Sequence, residues 1–244
     1  MSNKKITVVF LHDAYGDYYT WKWLDKRLKK KYDCIYLNLP GYNGTKPLKA
    51  YSFRSLSEWV AKEIKKLNVK DYVLVGHGMG AKLALFAGLV LHDLQPTKLI
   101  LIAPSSPKPD CIIEPLKTLL LKRPSYDNSK EIVVRVTSRK LNNKRLEAAI
   151  ESYMKTDELA RDWWIHEGIK EDITWAIKNL EIPTFVIHGK KDSVSSLVSV
   201  EKDVLPLVYK SKLIVLGRTG HTIPLESPRK LGRLLKRIIN KKSA

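Results

Sequence analysis

The stretch Val73-Leu74-Val75-Gly76-His77-Gly78-Met79-Gly80 limits this chain to few folds. A short β-branched run enters a tight Gly-rich turn, and a small-residue helix carrying Ala81, Ala84 and Ala87, with Leu83, Leu85 and Phe86, leaves it. A strand that turns this sharply into a helix lifts one side chain above the sheet edge and leaves the next backbone N–H free to receive negative charge. The lifted residue is ordinarily Ser. Here it is Gly78.

Around this elbow the pattern is one of strands alternating with helices. Ile6 to Leu11 is a continuous apolar run, as expected of a parallel strand covered on both faces. Cys34 to Leu39, the elbow strand itself, Lys98 to Ala103, Thr184 to His188 and Lys212 to Leu216 supply the other strands. Between them Trp21, Leu24 and Leu28 recur at helical spacing, and a second helix opens at Ser55, with Glu58 completing a capping box. The latter carries Leu56, Trp59, Val60, Ile64 and Leu67 on one face. A last helix takes Ser227 as N-cap and Pro228 at its first position, with Leu231, Leu234, Leu235, Ile238 and Ile239 on one stripe. Strands separated by helices call for an α/β fold with a mainly parallel, doubly wound, six-stranded sheet and right-handed crossovers.

Residues 108–180 are too many for one crossover helix and are rich in helix signals, among them Leu116, Leu119 and Leu120, then Leu146, Ala149, Ile150 and Tyr153. They read as a helical cap inserted into a core of residues 1–107 and 181–244. At 244 residues and 44% hydrophobic content, the chain can bury one core. No apolar run nears the roughly 18 residues of a membrane span, and Met1 to Lys5 is polar, so the expected location is the cytoplasm. Cys34 and Cys111 predict no disulfide. Lys and Arg total 44 against 25 Asp and Glu, a net charge of +19. That balance raises a polyanionic partner. The basic residues are spread over helix faces without a nucleic-acid-binding motif, so a solvated basic surface is the first reading, an acidic protein or acyl carrier the second, and nucleic acid the last.

Open parallel sheets take their ligands at the carboxyl ends of the strands. Gly78 follows the third strand, Asp192 the fifth and His221 the sixth. An imidazole base needs a carboxylate to hold its tautomer, and these two residues fall on adjacent strand ends. The loop after the first strand offers His12-Asp13-Ala14, with His12 read as holding the loop. No metal is expected, because His12, His77, His188 and His221 lack ligand spacing in the sequence.

The segments Leu39-Pro40-Gly41-Tyr42 with Gly44, Gly76 to Gly80, His188-Gly189 to Asp192, and Gly220-His221 together resemble the α/β-hydrolase superfamily over nearly the whole chain. The likeness is strongest to its small capped carboxylesterases, thioesterases and enol-lactone hydrolases. It implies a strand order of 2-1-3-4-5-6, a catalytic set of Gly78 at the nucleophile position with Asp192 and His221, and an oxyanion hole from the N–H groups of Ala14 and Met79. It further implies no cofactor and a small-molecule ester, thioester or lactone as substrate. Asp13, Tyr15, His77, Trp163 and Trp164 are the candidate pocket residues. Two departures stand out: Asp13 replaces the family's Gly after His12, and Gly78 replaces Ser.

Three readings of Gly78 are open. In the first, an esterase-like site has lost its hydroxyl and nearly all its turnover. In the second, His221 and Asp192 act as a general base on water or a substrate hydroxyl, giving hydrolysis without an acyl-enzyme, a lyase cleavage or a cofactor-free dioxygenation. In the third, the chain binds a ligand and has abandoned catalysis.

Overall fold

A computed structural model describes residues 5–241, so most of the polar N-terminal stretch lies outside the described residues. Six strands, β1 (Thr7–Leu11), β2 (Asp33–Leu37), β3 (Tyr72–His77), β4 (Lys98–Ile102), β5 (Thr184–Gly189) and β6 (Lys212–Leu216), form one sheet. Their spatial order is β2-β1-β3-β4-β5-β6, and every neighbouring pair is parallel, as the sequence predicts.

The continuous apolar runs follow from burial on both faces. Val9, Leu11, Leu74, Leu99, Leu101 and Val186 point to one face, where α2 (Phe53–Lys66) and α3 (Met79–Val90) cover them. The alternate residues Val8, Phe10, Val73, Val75, Ile100 and Ile102 point to the other, beneath α1 (Lys22–Leu28) and α11 (Pro228–Ile239). Side chains alternate along a strand, so both registers must be apolar in the central strands. At the edges the demand relaxes: Cys34 is half-buried on β2, and both cysteines are free.

Two helix starts differ from expectation. The first residue of α2 is Phe53 and its N-cap is Ser52, whose Oγ accepts from Ser55 N at 3.0 Å while Ser55 Oγ accepts from Ser52 N at 2.9 Å. Ser52-Ser55 therefore forms the box that Ser55-Glu58 was expected to form, since starting there buries Phe53. Ser227 precedes α11 as predicted, yet its hydroxyl makes no cap bond and meets Thr219 Oγ1 at 3.0 Å instead.

Between β4 and β5 run α4 (Leu116–Leu120), α5 (Tyr126–Val136), α6 (Asn143–Met154), α7 (Glu158–Trp163), which continues as a wider turn through Gly168, and α8 (Thr174–Ile177). After β5 comes the single turn α9 (Leu197–Ser199), and α10 (Ile223–Glu226) lies between β6 and α11. Among the described residues no helix is long and apolar enough to cross a membrane.

Candidate active site

The elbow between β3 and α3 is pinned from two sides. Gly78 N donates to Ile102 O at 3.0 Å, and Gly78 O accepts from Ser105 N at 3.2 Å. The turn puts Gly78 at φ +54° and ψ −116°, in the region where L side chains are strained. Gly80 allows the helix to press on β1: a Cβ there would lie 2.4 Å from His12 O.

Three loops at the carboxyl edge converge on this elbow. His221, after β6, donates through Nδ1 to Asp192 Oδ2 at 2.9 Å and through Nε2 to Asp13 Oδ2 at 3.1 Å. Asp192 Oδ1 accepts in addition from Val194 N at 2.8 Å and Ser195 N at 3.0 Å, which fixes the carboxylate that the sequence places behind the base. Asp13 Oδ1 accepts from Met79 N at 2.8 Å, at the positive end of α3. The predicted dyad is thus assembled, and a third group joins it.

That third group alters the site. A Cβ added at Gly78 would stand 2.0 Å from Asp13 Oδ1 and 2.3 Å from its Cγ. The carboxylate of Asp13 therefore fills the place where a hydroxyl at residue 78 would stand, and the Met79 N–H expected in an oxyanion hole already has an acceptor. Ala14, the other expected donor, is buried in the same loop.

Both imidazole nitrogens of His221 face carboxylate oxygens, so both must donate and the ring is cationic. Burial works to lower its pKa, but Asp192 and Asp13 outweigh it and hold the ring at about 10. Burial likewise works to raise Asp13, and the hydrogen bond and charge of His221 overcome it, drawing the carboxyl down to about 2.

The remaining histidines are supports. His12 accepts from Leu39 N through Nε2 at 3.0 Å and donates through Nδ1 to Asp13 O at 2.9 Å, tying the β1 loop to the β2 loop as predicted. Burial keeps it neutral, with a pKa lowered to about 4. His77 donates through Nε2 to His221 O at 2.9 Å and packs its ring 5.2 Å from that of His221. One donor atom each of Asp13, His77 and His221 lies within 4.8 Å of the others, a set that sequence spacing alone did not suggest as a metal site. An ion there would have to displace the His221–Asp13 hydrogen bond.

Of the expected pocket residues, Tyr15 stands with its ring 6.0 Å from His221. Trp164 lies close to the Tyr15 hydroxyl, whose pKa burial raises far above its usual range and the Trp164 indole draws back. Trp163 turns away: it packs against Tyr51 and Phe53, with ring centroids at 5.8 Å and 5.5 Å. A surface cavity of about 730 Å³ beside Arg161 and His166 includes no member of the cluster in its lining.

Sequence reasoning passed over Glu226. Its Oε2 accepts from Gly220 N at 2.9 Å and Ser138 N at 3.1 Å, and Oε1 accepts from Thr222 Oγ1 at 3.3 Å, so it clamps both neighbours of His221. An acid six residues after Gly220 carries no motif that would single it out. Lys82 was also missed. It is fully buried on α3, with Nζ donating to Gly168 O and Ile169 O, each at 3.3 Å.

The model of the alpha/beta hydrolase family matches residues 8–233. The uncharacterized hydrolase YugF of Bacillus subtilis (strain 168) is 28% identical over 240 residues, covering 91% of this chain and 85% of that protein. Among solved structures, the esterase EaEST from Exiguobacterium antarcticum superposes with a TM-score of 0.86 at 19% identity, covering 98% of this chain and 93% of that one. The meta-cleavage product hydrolase CumD from Pseudomonas fluorescens IP01 gives a TM-score of 0.80 at 21% identity, covering 97% of this chain and 91% of that one. At such identities these two structures speak for the fold alone.

Proposed function

The chain belongs to the alpha/beta hydrolase family, and we propose that it hydrolyses a small molecule at the Asp13–His221–Asp192 cluster, with Gly78 supplying room and backbone and no nucleophile. The observation that carries this reading is the 2.0 Å between Asp13 Oδ1 and the Cβ that residue 78 lacks. Asp13 and Gly78 are complementary in shape, and that fit favours a remodelled site over an esterase that has merely lost a hydroxyl. His221, oriented by Asp192, is the group that moves protons, and the helices of residues 108–180 act as the cap over it. Hydrolysis without a serine acyl-enzyme follows.

Esters, thioesters and lactones are the substrates the family likeness suggests, and they form one arm of the test. Compounds cleaved at a saturated carbon form the other. The unmodified protein is expected to turn over members of one arm, and His221→Ala and Asp192→Asn each to lose on the order of 10³- to 10⁴-fold in turnover. A folded protein inert toward both arms would leave ligand binding as its role.

A further inference from the structure

We infer that the groove between β6 and the last turns of α11 is a binding site for a single-chain organic anion, a medium- or long-chain carboxylate, at the end of the sheet opposite the Asp13–His221–Asp192 cluster.

The groove is a cavity of about 460 Å³. Its floor is apolar, made of Phe185 on β5, Ile214 on β6, and Leu234 and Ile238 on α11. Its charged lining is wholly cationic: Lys212, Arg237 and Lys241, with no carboxylate among them. Because β6 is an edge strand, Ile214 and Leu234 stay half-buried there, and a hydrocarbon chain laid over them would remove that apolar surface from water.

Periodicity gives the groove a direction. Alternate side chains on a strand share a face, so Lys212 stands on the Ile214 side of β6. Leu234, Ile238 and Lys241 fall at i, i+4 and i+7 and form one stripe along α11 and its end. That end lies against the amino ends of the strands: Lys98 Nζ, at the start of β4, donates to Ile239 O at 3.5 Å, and Tyr32 Oη, next to β2, donates to Asn240 Oδ1 at 3.1 Å. Both walls therefore pass from hydrocarbon to cation in the same sense. An amphiphile with one charged head matches this gradient, its head at the amino edge of the sheet and its tail between Ile214 and Leu234.

The sign of the head follows from the three cations. Among the described residues none of Lys212, Arg237 and Lys241 takes part in an ion pair. Lys212 beside it, and Arg237 as well, draw the Lys241 ammonium below the usual lysine range, the mark of like charges held together. A carboxylate placed among them relieves that repulsion and accepts from several donors at once. A second copy of the chain would bring more cations to the same place, and a net charge of +19 opposes such pairing. The size fits a small ligand, since cavities that enclose one run to roughly 300–1,000 Å³.

This ligand is a different one from whatever reacts at the cluster. β6 runs from the groove to the loop that carries His221, so its 5 residues, roughly 16 Å of extended chain, keep the two places apart.

Isothermal titration of the full chain with dodecanoate, below its micelle-forming concentration, tests this, with butyrate and dodecyltrimethylammonium as comparators. Dodecanoate is expected to fill one saturable site, and the comparators, which lack the tail or the carboxylate, to bind at least about ten-fold more weakly. Lys212→Glu combined with Lys241→Glu alters two exposed side chains and should weaken dodecanoate by roughly ten-fold or more. Methyl NMR spectra of the unmodified protein should place the shifts on Ile214, Leu234 and Ile238, a readout independent of how well the variant folds. Butyrate binding as tightly as dodecanoate would reduce the site to surface lysines and overturn the inference. Equal uptake of the cationic amphiphile, undiminished binding in the double variant, or shifts centred elsewhere would overturn it too. Binding to phosphatidylglycerol vesicles with none of monomeric dodecanoate would also overturn it and assign this face to an anionic membrane.

Discussion

Gly78 and Asp13 fit together as notch and plug: a methyl group on the first would stand 2.0 Å from a carboxylate oxygen of the second, well inside van der Waals contact. Two residues far apart in the chain have become one structural unit.

Gly78→Ser alone should therefore not yield a working serine hydrolase. The new side chain collides with Asp13, and expelling a buried carboxylate costs about 2–4 kcal/mol. Asp13→Gly combined with Gly78→Ser removes the collision and frees Met79 N–H. The double variant should recover most of the lost stability and gain p-nitrophenyl acetate hydrolysis, read by thermal melts and initial rates. Equal activity in the single and double variants would show that Asp13 does not block the elbow.

Stability should decline through mildly alkaline pH. His221 titrates at about 10 in the fold against 6.5 ordinarily. A raised pKa means that its contribution is whole below pH 6.5 and is lost as pH climbs toward 10. Asp13→Asn removes one of the two carboxylates that raise it, so the variant's decline should be shallower, by on the order of 2 kcal/mol at pH 10. Denaturant titrations at pH 6.5 and 10 measure this, and identical declines in the two proteins would refute the pairing.

Glu226→Ala should strip Gly220 N and Ser138 N of their acceptor and cost about 2–4 kcal/mol. Turnover should fall through kcat more than KM, because the residue positions His221 and does not meet substrate. Glu226→Gln keeps one acceptor oxygen and should restore part of both losses.

Lys82→Met should interact with pH in the opposite sense to His221. Burial lowers the Lys82 pKa from 10.5 to about 8, with Glu171 and Asp110 opposing it. Its depressed value makes the charged form a burden in the fold, relieved as pH rises from 8 to 10.5. Relative to Lys82→Met, the unmodified protein should gain about 3 kcal/mol over that interval. Parallel stability curves for the two proteins would remove Lys82 from the account.

The central strands could be read directly because burial on both faces writes itself as an unbroken apolar run, as in Thr7–Leu11. The start of α2 could not, since Ser52-Ser55 and Ser55-Glu58 are equally good local signals. What separates them is tertiary: Phe53 is buried, and its N–H donates to Glu171 Oε2 at 3.3 Å. Asp192 and His221 were legible from their places after strands. The role of Asp13 was not, because its bond to Met79 spans 66 positions and depends on the direction in which a loop releases its side chain. Its presence next to His12 was visible, and its occupation of the elbow was not.

The far end of α5 grips both halves of the acid–base pair. Val136 O accepts from His221 N at 3.1 Å, and Arg135 O accepts from Ser193 Oγ at 2.9 Å, beside Asp192. Any hinge that swings this helix aside to admit a guest tugs on the imidazole loop and the carboxylate loop together. A displacement of this one helix end would thus reach the base and its acid at once.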